Sequence, residues 1–236
     1  MHNFYSGEIL LVNKPLGWTS FQAVNKLKYG LKRHPSMFLD GKFVHLKIGH
    51  AGTLDPLATG LLIVCTGKKT KEIQKFQDLP KEYTGTFFIG ATTPCYDLEK
   101  PVDKVYPTEH ITQELVKEAV TTFIGKQEQV PPIFSAVMVN GKRSYELARK
   151  GEEVELKAKP IEIYEFEITR LQLPELDFRI VCSKGTYIRS IARDLGLALN
   201  SGAHLTKLCR TKIGEFSLEN ASEPEALIQL LNPTKI

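Results

Sequence analysis

Apolar positions along this chain come in short blocks whose period keeps changing. Residues 9–12 are an apolar run closed by Asn13-Lys14-Pro15-Leu16-Gly17, which predicts a short strand at 8–12 ended by a turn. Val24, Leu27 and Leu31 recur at helical spacing, and Ser20 stands where an N-cap is expected. Residues 33–47 are polar and irregular, a surface loop by this reading. A glycine-punctuated loop at 49–60 leads into a buried-type strand at 61–66 and a short basic helix at 68–77. Residues 83–89 read as another strand. Thr112 precedes a helical face of Leu115, Val116, Ala119 and Phe123. Asn140-Gly141 signals a turn between Val137-Met138-Val139 and the helix-like Tyr145-Glu146-Leu147-Ala148.

Residues 160–173 read as a strand whose alternation changes phase near Tyr164, which predicts a bulge or bend. Phe178, Ile180 and Cys182 alternate in the next strand. After Ser183-Lys184-Gly185-Thr186, residues Ile188, Ile191, Ala192 and Leu195 share one helical face. Near the end, Ser222-Glu223-Pro224-Glu225 has the form of a capping box, and a short helix at 223–231 stops at Asn232-Pro233. Strands and helices mix without regular βαβ alternation. The expected fold is therefore α+β, with a mixed, largely antiparallel sheet flanked by helices, in one domain over 1–236.

Composition alters little in this picture. Of 236 residues, 42% are hydrophobic, enough for a buried core. The longest aliphatic run, Leu61-Leu62-Ile63-Val64, is far too short to span a bilayer. The first residues lack the basic and apolar regions of a signal peptide, so the cytoplasm is the expected location. Cys65, Cys95, Cys182 and Cys209 lie far apart, form no C-x-x-C pair and have no His or Cys at ligand spacing. Neither a disulfide framework nor a zinc site is expected. Charge adds more. The net charge is only +4, but residues 1–75 hold eleven Lys/Arg against four Asp/Glu, leaving that third at +7 and the remainder at −3. Such asymmetry fits a surface facing a polyanion, and equally a solvated lysine-rich face.

Gly49-His50-Ala51-Gly52-Thr53-Leu54-Asp55-Pro56-Leu57-Ala58-Thr59-Gly60 is the most unusual stretch. Its glycines and proline exclude helix or strand interior. It carries a carboxylate, an imidazole and two threonine hydroxyls on a loop mounted directly on a buried strand, a setting common for catalytic groups. An isolated Asp-Pro would more often be an Asp capping its own turn.

The whole stretch closely resembles the signature loop of the TruB family of pseudouridine synthases. Four further motifs agree in order and spacing. Val12-Asn13-Lys14-Pro15 with Gly17-Trp18-Thr19-Ser20 resembles the family's N-terminal motif, and Lys81-Glu82-Tyr83 its tyrosine strand. Ser183-Lys184-Gly185-Thr186-Tyr187-Ile188-Arg189-Ser190 resembles its arginine motif. Gly202-Ala203-His204-Leu205 with Leu208-Cys209-Arg210-Thr211 resembles its late motif. Together they run from about residue 8 to residue 220. Two departures stand out. Members often carry a C-terminal RNA-binding module of the PUA type, for which this sequence shows no room, and residues 33–47 exceed the usual connection.

The resemblance implies a pseudouridine synthase fold, uridine 55 in the T loop of tRNA as target, and no cofactor or metal. A monomer is expected. Asp55 is the implied catalytic residue. A carboxylate can stabilise an oxocarbenium-like C1′, form a covalent sugar adduct, or remove the C2′ proton, and the sequence leaves all three open. The role requires an ionised group, and Arg189 is the partner cation by resemblance. Without the motif, Arg189 would read as a surface helix Arg near Asp194 or Asp177. Tyr83 is implied as the platform for a flipped uracil, against an ordinary core tyrosine. His50 would fill the gap in the RNA or contact the flipped nucleotide, against a bond to local backbone. Leu208 would floor the base pocket, against a core leucine. Lys71 and Lys14 are candidate phosphate contacts, as more weakly are Lys142 and Arg143, and each could simply be solvated. Two rivals remain: an RNA-binding or RNA-folding protein without catalysis, and a hydrolase with a Cys or Ser nucleophile, for which no elbow or His-paired motif is present.

Overall fold

A computed structural model describes residues 2–135, 137–139, 141–149 and 155–232. Asn140 of the expected turn, and the side chains of Arg143, Glu146 and Ala148, lie outside the described residues. In chain order the elements are β1 (Ile9–Lys14), α1 (Ser20–Gly30), β2 (Phe38–Leu39), β3 (Lys42–Phe43), β4 (Ile48–His50), β5 (Ala58–Thr66), α2 (Ile73–Asp78), β6 (Lys81–Ile89), β7 (Ala91–Thr92), β8 (Lys104–Val105), α3 (Gln113–Thr121), β9 (Gly125–Gln129), β10 (Met138–Val139), β11 (Lys142–Arg143), α4 (Ser144–Arg149), β12 (Lys159–Gln172), β13 (Glu175–Cys182), α5 (Ile188–Ala198), β14 (Ala203–Ile213), β15 (Phe216–Ser217) and α6 (Pro224–Leu231). The class is α+β, as the pattern predicts. Two compact units are formed, one by Met1–Glu82 with Cys209–Ile236, the other by Tyr83–Leu208.

The first unit is built on β5. β1 and β4 both pair with it antiparallel, from Ile9↔Cys65 to Lys14↔Gly60 and from Ile48↔Thr66 to His50↔Val64. Nearly every β5 position is buried because both faces are covered, which is why its sequence is a continuous apolar run. Leu62 and Val64 pack with Leu10, Val12, Leu27 and Leu31. Leu61, Ile63 and Cys65 pack with Ala51, Phe76 and Ile213. Gly60 adopts φ +103, and any Cβ there would lie 2.4 Å from the Arg210 carbonyl oxygen, so only glycine lets the two backbones approach.

Two helix starts differ from expectation. Thr19, not Ser20, caps α1, and its reciprocal partner is Gln22. Ser20 is drawn inward for another purpose, described below. The expected capping box at Ser222 does not form, because the N-cap is Glu223, without a side-chain cap bond, and Pro224 starts α6. Ser222 is instead held by backbone bonds to β1, the Asn13 amide donating to its carbonyl at 2.9 Å. α6 places Leu227 and Leu231 in the β1–α1 core, and Asn232 Nδ2 donates to the Gly30 carbonyl at 3.0 Å. The expected basic helix at 68–77 is a 3₁₀ segment, Gly67–Glu72, followed by α2.

The second unit centres on the β12–β13 hairpin, with β9 on the other side of β12. β13 alternates, burying Leu176, Phe178, Ile180 and Cys182. The register shifts between Ile163 and Glu165, leaving Tyr164 unpaired at the position where the alternation breaks. Phe87 and Phe178 stack at 4.2 Å between ring centroids. α5 lays Ile188, Ile191, Ala192 and Leu195 into the same core as Val116, Ala119 and Phe123 of the α3 region, and Thr112 caps α3 as expected.

If β5 is the spine of the first unit, Leu62→Ala should cost about 2–5 kcal/mol of stability. Urea unfolding followed by circular dichroism measures it, and a loss below about 1 kcal/mol would contradict this packing.

Candidate active site

The loop between β4 and β5 is clamped from three sides within the first unit. The Ser20 hydroxyl accepts from the Leu54 amide at 2.8 Å and donates to the Leu54 carbonyl at 3.2 Å. The Gly17 amide donates to the Pro56 carbonyl at 2.8 Å, and the Ala58 amide to that of Asp55 at 3.1 Å. The N-terminal motif thus acts as a bracket: Lys14, Gly17 and Ser20 fix the backbone on both sides of Asp55. Asp55 itself is half-buried.

Lys14 is not an exposed cation. Its side chain is fully buried, and its ammonium donates to the carbonyls of Pro15 at 2.9 Å, Trp18 at 2.6 Å and Pro56 at 3.5 Å. A phosphate could reach it only by breaking those bonds, so the expected phosphate contact is replaced by a positioning role. Arg210 is another buried cation, 1% exposed. Its Nε donates to the Leu61 carbonyl at 2.8 Å and its Nη2 to the Gly52 carbonyl at 3.1 Å, tying the loop to β5. The sequence reading gave Arg210 no role. Its signal was an arginine inside a strand where apolar side chains point inward.

His50 is half-buried in β4, and its Nδ1 is buried without a hydrogen-bond partner. Burial first, and the Arg210 charge second, push its pKa below the ordinary histidine value, while a backbone bond at Gly52 pulls it up. The imidazole is neutral at pH 7 and carries an acceptor or donor not used by the protein.

In the second unit Arg189 is buried, which overturns the reading of a surface helix arginine. Its Nε lies 3.5 Å from the equally buried Asp97 carboxylate, and its other nitrogens donate to the carbonyls of Cys95 at 3.2 Å and Phe134 at 3.0 Å. Asp194 pairs with Arg193 and Asp177 with Arg170 instead. Asp97 was missed, since its partner is far away in sequence and nothing local marks it. Gln129 holds the start of α5, accepting from the Tyr187 amide at 2.8 Å and donating to its carbonyl at 3.1 Å. Tyr83 and Leu208 are both half-buried against one apolar cluster, a setting that suits an apolar pocket wall as well as a core. Lys71 is exposed on the 3₁₀ segment, and Lys142 is exposed in β11.

The first unit therefore sets Lys14 near both Asp55 and Arg210, and His50 near Arg210, while the second pairs Arg189 with Asp97. A carboxylate on a fixed backbone beside buried cations suits electrostatic or nucleophilic work at a carbon bearing developing positive charge. Cys65 and Cys95 suit nucleophilic catalysis poorly. Burial, then Glu72, raises Cys65 to about 11, and burial raises Cys95 as well.

Burial also pulls Lys14 from 10.5 to about 8, with the Asp55 carboxylate raising it and Arg210 lowering it further. A depressed value means that the folded chain gives up this proton before the unfolded chain does. The cost of burying the ammonium is thus present in full below about pH 8 and is relieved between about 8 and 10.5. Relative to Lys14→Met, wild-type stability should rise by up to about 3 kcal/mol through that window. Urea titrations at stepped pH measure the difference, and a flat curve would contradict the buried ammonium.

Comparison with known proteins identifies the family. A family model described as TruB family pseudouridylate synthase (N terminal domain) matches residues 41–188. The tRNA pseudouridine synthase B of Phocaeicola vulgatus is 56% identical over 234 residues, covering 99% of this chain and 97% of that protein. That of Flavobacterium johnsoniae is 60% identical over 218 residues, covering 92% and 93%. The solved Cbf5-Nop10-Gar1 complex contains a chain that aligns at TM-score 0.66 and 27% identity over 91% of this chain, which spans about half, 51%, of that one. A structure of an H/ACA RNP bound to a substrate RNA containing 2′-deoxyuridine shares the fold at TM-score 0.67 and 24% identity, covering 96% of this chain and 54% of that one. A family match over more than half the sequence, joined to relatives above half identity along nearly all of it, establishes that this chain belongs to the TruB family of pseudouridylate synthases.

Proposed function

We propose that this protein isomerises uridine 55 in the T loop of tRNA to pseudouridine. The observation that carries the reading is the clamped Asp55 loop, in a chain 56% identical over 234 residues to a tRNA pseudouridine synthase B. The reaction breaks the bond from ribose C1′ to uracil N1, turns the base, and joins C1′ to C5. The C5 proton leaves and N1 gains one, so atoms and electrons balance without a cofactor or metal. The T-loop uridine is flipped out of the folded RNA before reaction.

In this reading Asp55 acts at the sugar, by one of three routes: stabilising the cationic C1′, bonding to it, or removing the C2′ proton. Arg189 is a site cation whose guanidinium Asp97 orients. Tyr83 stacks on the flipped uracil, Leu208 floors it, and His50 contacts the flipped nucleotide or fills its place. Lys71 meets phosphate. The enzyme acts as a cytoplasmic monomer.

The test is an unmodified tRNA transcript incubated with protein, without added cofactor, and mapped by carbodiimide-dependent reverse-transcription stops. Wild type should give a stop at the T-loop uridine, and Asp55→Ala should lower its rate by at least about a hundredfold. No stop with wild type, in EDTA or without it, would refute the proposal. Equal rates for both proteins would remove Asp55 from the chemistry.

A further inference from the structure

Residues 33–47 are not an irregular loop. They fold into a small hairpin that presents aromatic side chains to solvent. β2 and β3 pair through Phe38↔Phe43 and Leu39↔Lys42. Asp40 and Gly41 turn the chain with φ of +50 and +75, the two consecutive positive values of a tight type I′ turn. So short a hairpin is marginal by itself. Here its base is anchored. Met37 and Leu46 are buried in the core of the first unit, and His34 is buried against the edge of Phe4 at 4.7 Å. The Val44 amide closes the base on the Met37 carbonyl at 2.9 Å.

What the hairpin holds outward is unusual. Phe38 is 45% exposed, Leu39 43% and Phe43 48%, with the two rings edge to face at 5.9 Å. The same segment has apolar anchors that are fully buried, so these outward residues are not a failed core. In the same segment Lys32, Arg33, Lys42 and Lys47 are all exposed, against Asp40 alone, which gives residues 32–47 a net charge of +3. Tyr29, at the end of α1, is 65% exposed with the Lys32 ammonium 4.4 Å from its ring centre. Aromatic faces interleaved with cations form a surface on which unpaired bases stack while phosphates are neutralised. A second copy of the chain would set +3 against +3, which disfavours self-association through this patch.

We propose that the hairpin of residues 38–43 is an RNA-contact surface additional to the Asp55 site: bases of the RNA substrate stack on Phe38 and Phe43, and the flanking Lys32, Arg33, Lys42 and Lys47 hold its phosphates. The proposal rests on the reading that the substrate is RNA. It assigns a task to the segment that immediately precedes β4 and the catalytic loop.

Binding of an unmodified tRNA transcript, measured by filter retention across a salt series, tests it without requiring turnover. Phe38→Ser with Phe43→Ser should raise Kd at least about fivefold with little change in salt slope, because stacking is lost and charge kept. Phe38→Tyr with Phe43→Tyr should restore wild-type Kd. Lys32→Gln, Arg33→Gln, Lys42→Gln and Lys47→Gln together should flatten the slope of log K against log salt by about 2 to 3. All of these residues are exposed, so melting temperatures should stay near wild type, and the rate at saturating RNA should change less than about twofold. A Kd unchanged in both the serine pair and the glutamine set would overturn the proposal. So would loss of a sedimenting dimer, or of a bound protein, at constant RNA affinity. Wild type that binds tRNA through the hairpin yet makes no pseudouridine would sink the enzymatic reading and leave this surface standing.

Discussion

The Asp55 loop is anchored by a buried guanidinium. Arg210 is almost wholly removed from water, and a charge so placed is tolerable only if its donors are satisfied. Leu61 in β5 and Gly52 in the loop supply two of the acceptors, so one side chain ties the mobile kind of backbone to the most buried strand of its unit. Gly60 has to be glycine for the Arg210 backbone to come close enough. Lys14 repeats the device from the other side, its ammonium held by three carbonyls of which one belongs to Pro56, the residue after Asp55. The two cations take loop carbonyls on either side of Asp55, those of Gly52 and Pro56, and the Asp55 carboxylate offsets part of the cost of burying Lys14.

The apolar pattern revealed the elements whose burial is periodic. β5, β13, α5 and the bulge near Tyr164 are all visible in it, because buried apolar side chains set the pattern of each element. Elements held by polar contacts were not visible. β9 reads Gly-Lys-Gln-Glu-Gln and lies at the end of the strand order beside β12, where few apolar side chains are demanded. β14 hides behind Arg210 and other polar residues. The β2–β3 hairpin had a legible mark, Asp40-Gly41 between two apolar-containing pairs, but the surrounding polar residues obscured it.

The candidate site divides in the same way. Asp55, Arg189 and Tyr83 were legible only through motifs, since an Asp-Pro or a helix arginine has no distinguishing pattern alone. The structure adds why the motifs are spaced as they are. Ser20 sits one residue inside α1 so that its hydroxyl can hold Leu54, and the true cap falls to Thr19. Asp97 and Arg189 are far apart in sequence and meet only through the fold, as do Arg210 and Gly52. Such partners carry no local signature because each is selected by a charge that cannot be left unpaired. The basic excess in the first third likewise divides: Lys14 is buried, while Lys32, Arg33, Lys42 and Lys47 are exposed in the segment that carries exposed aromatic rings.

Arg210 positions the Asp55 loop and is not merely a filler of the core. Arg210→Lys keeps the charge but cannot span two carbonyls with a planar fork. Single-turnover pseudouridine formation at saturating tRNA, with hydrogen exchange at residues 51–57 measured on the same protein, tests this directly. Arg210→Lys should give faster exchange in the loop and a saturated rate lowered at least about tenfold, with tRNA affinity unchanged. A wild-type saturated rate in a variant whose loop exchanges faster would contradict it.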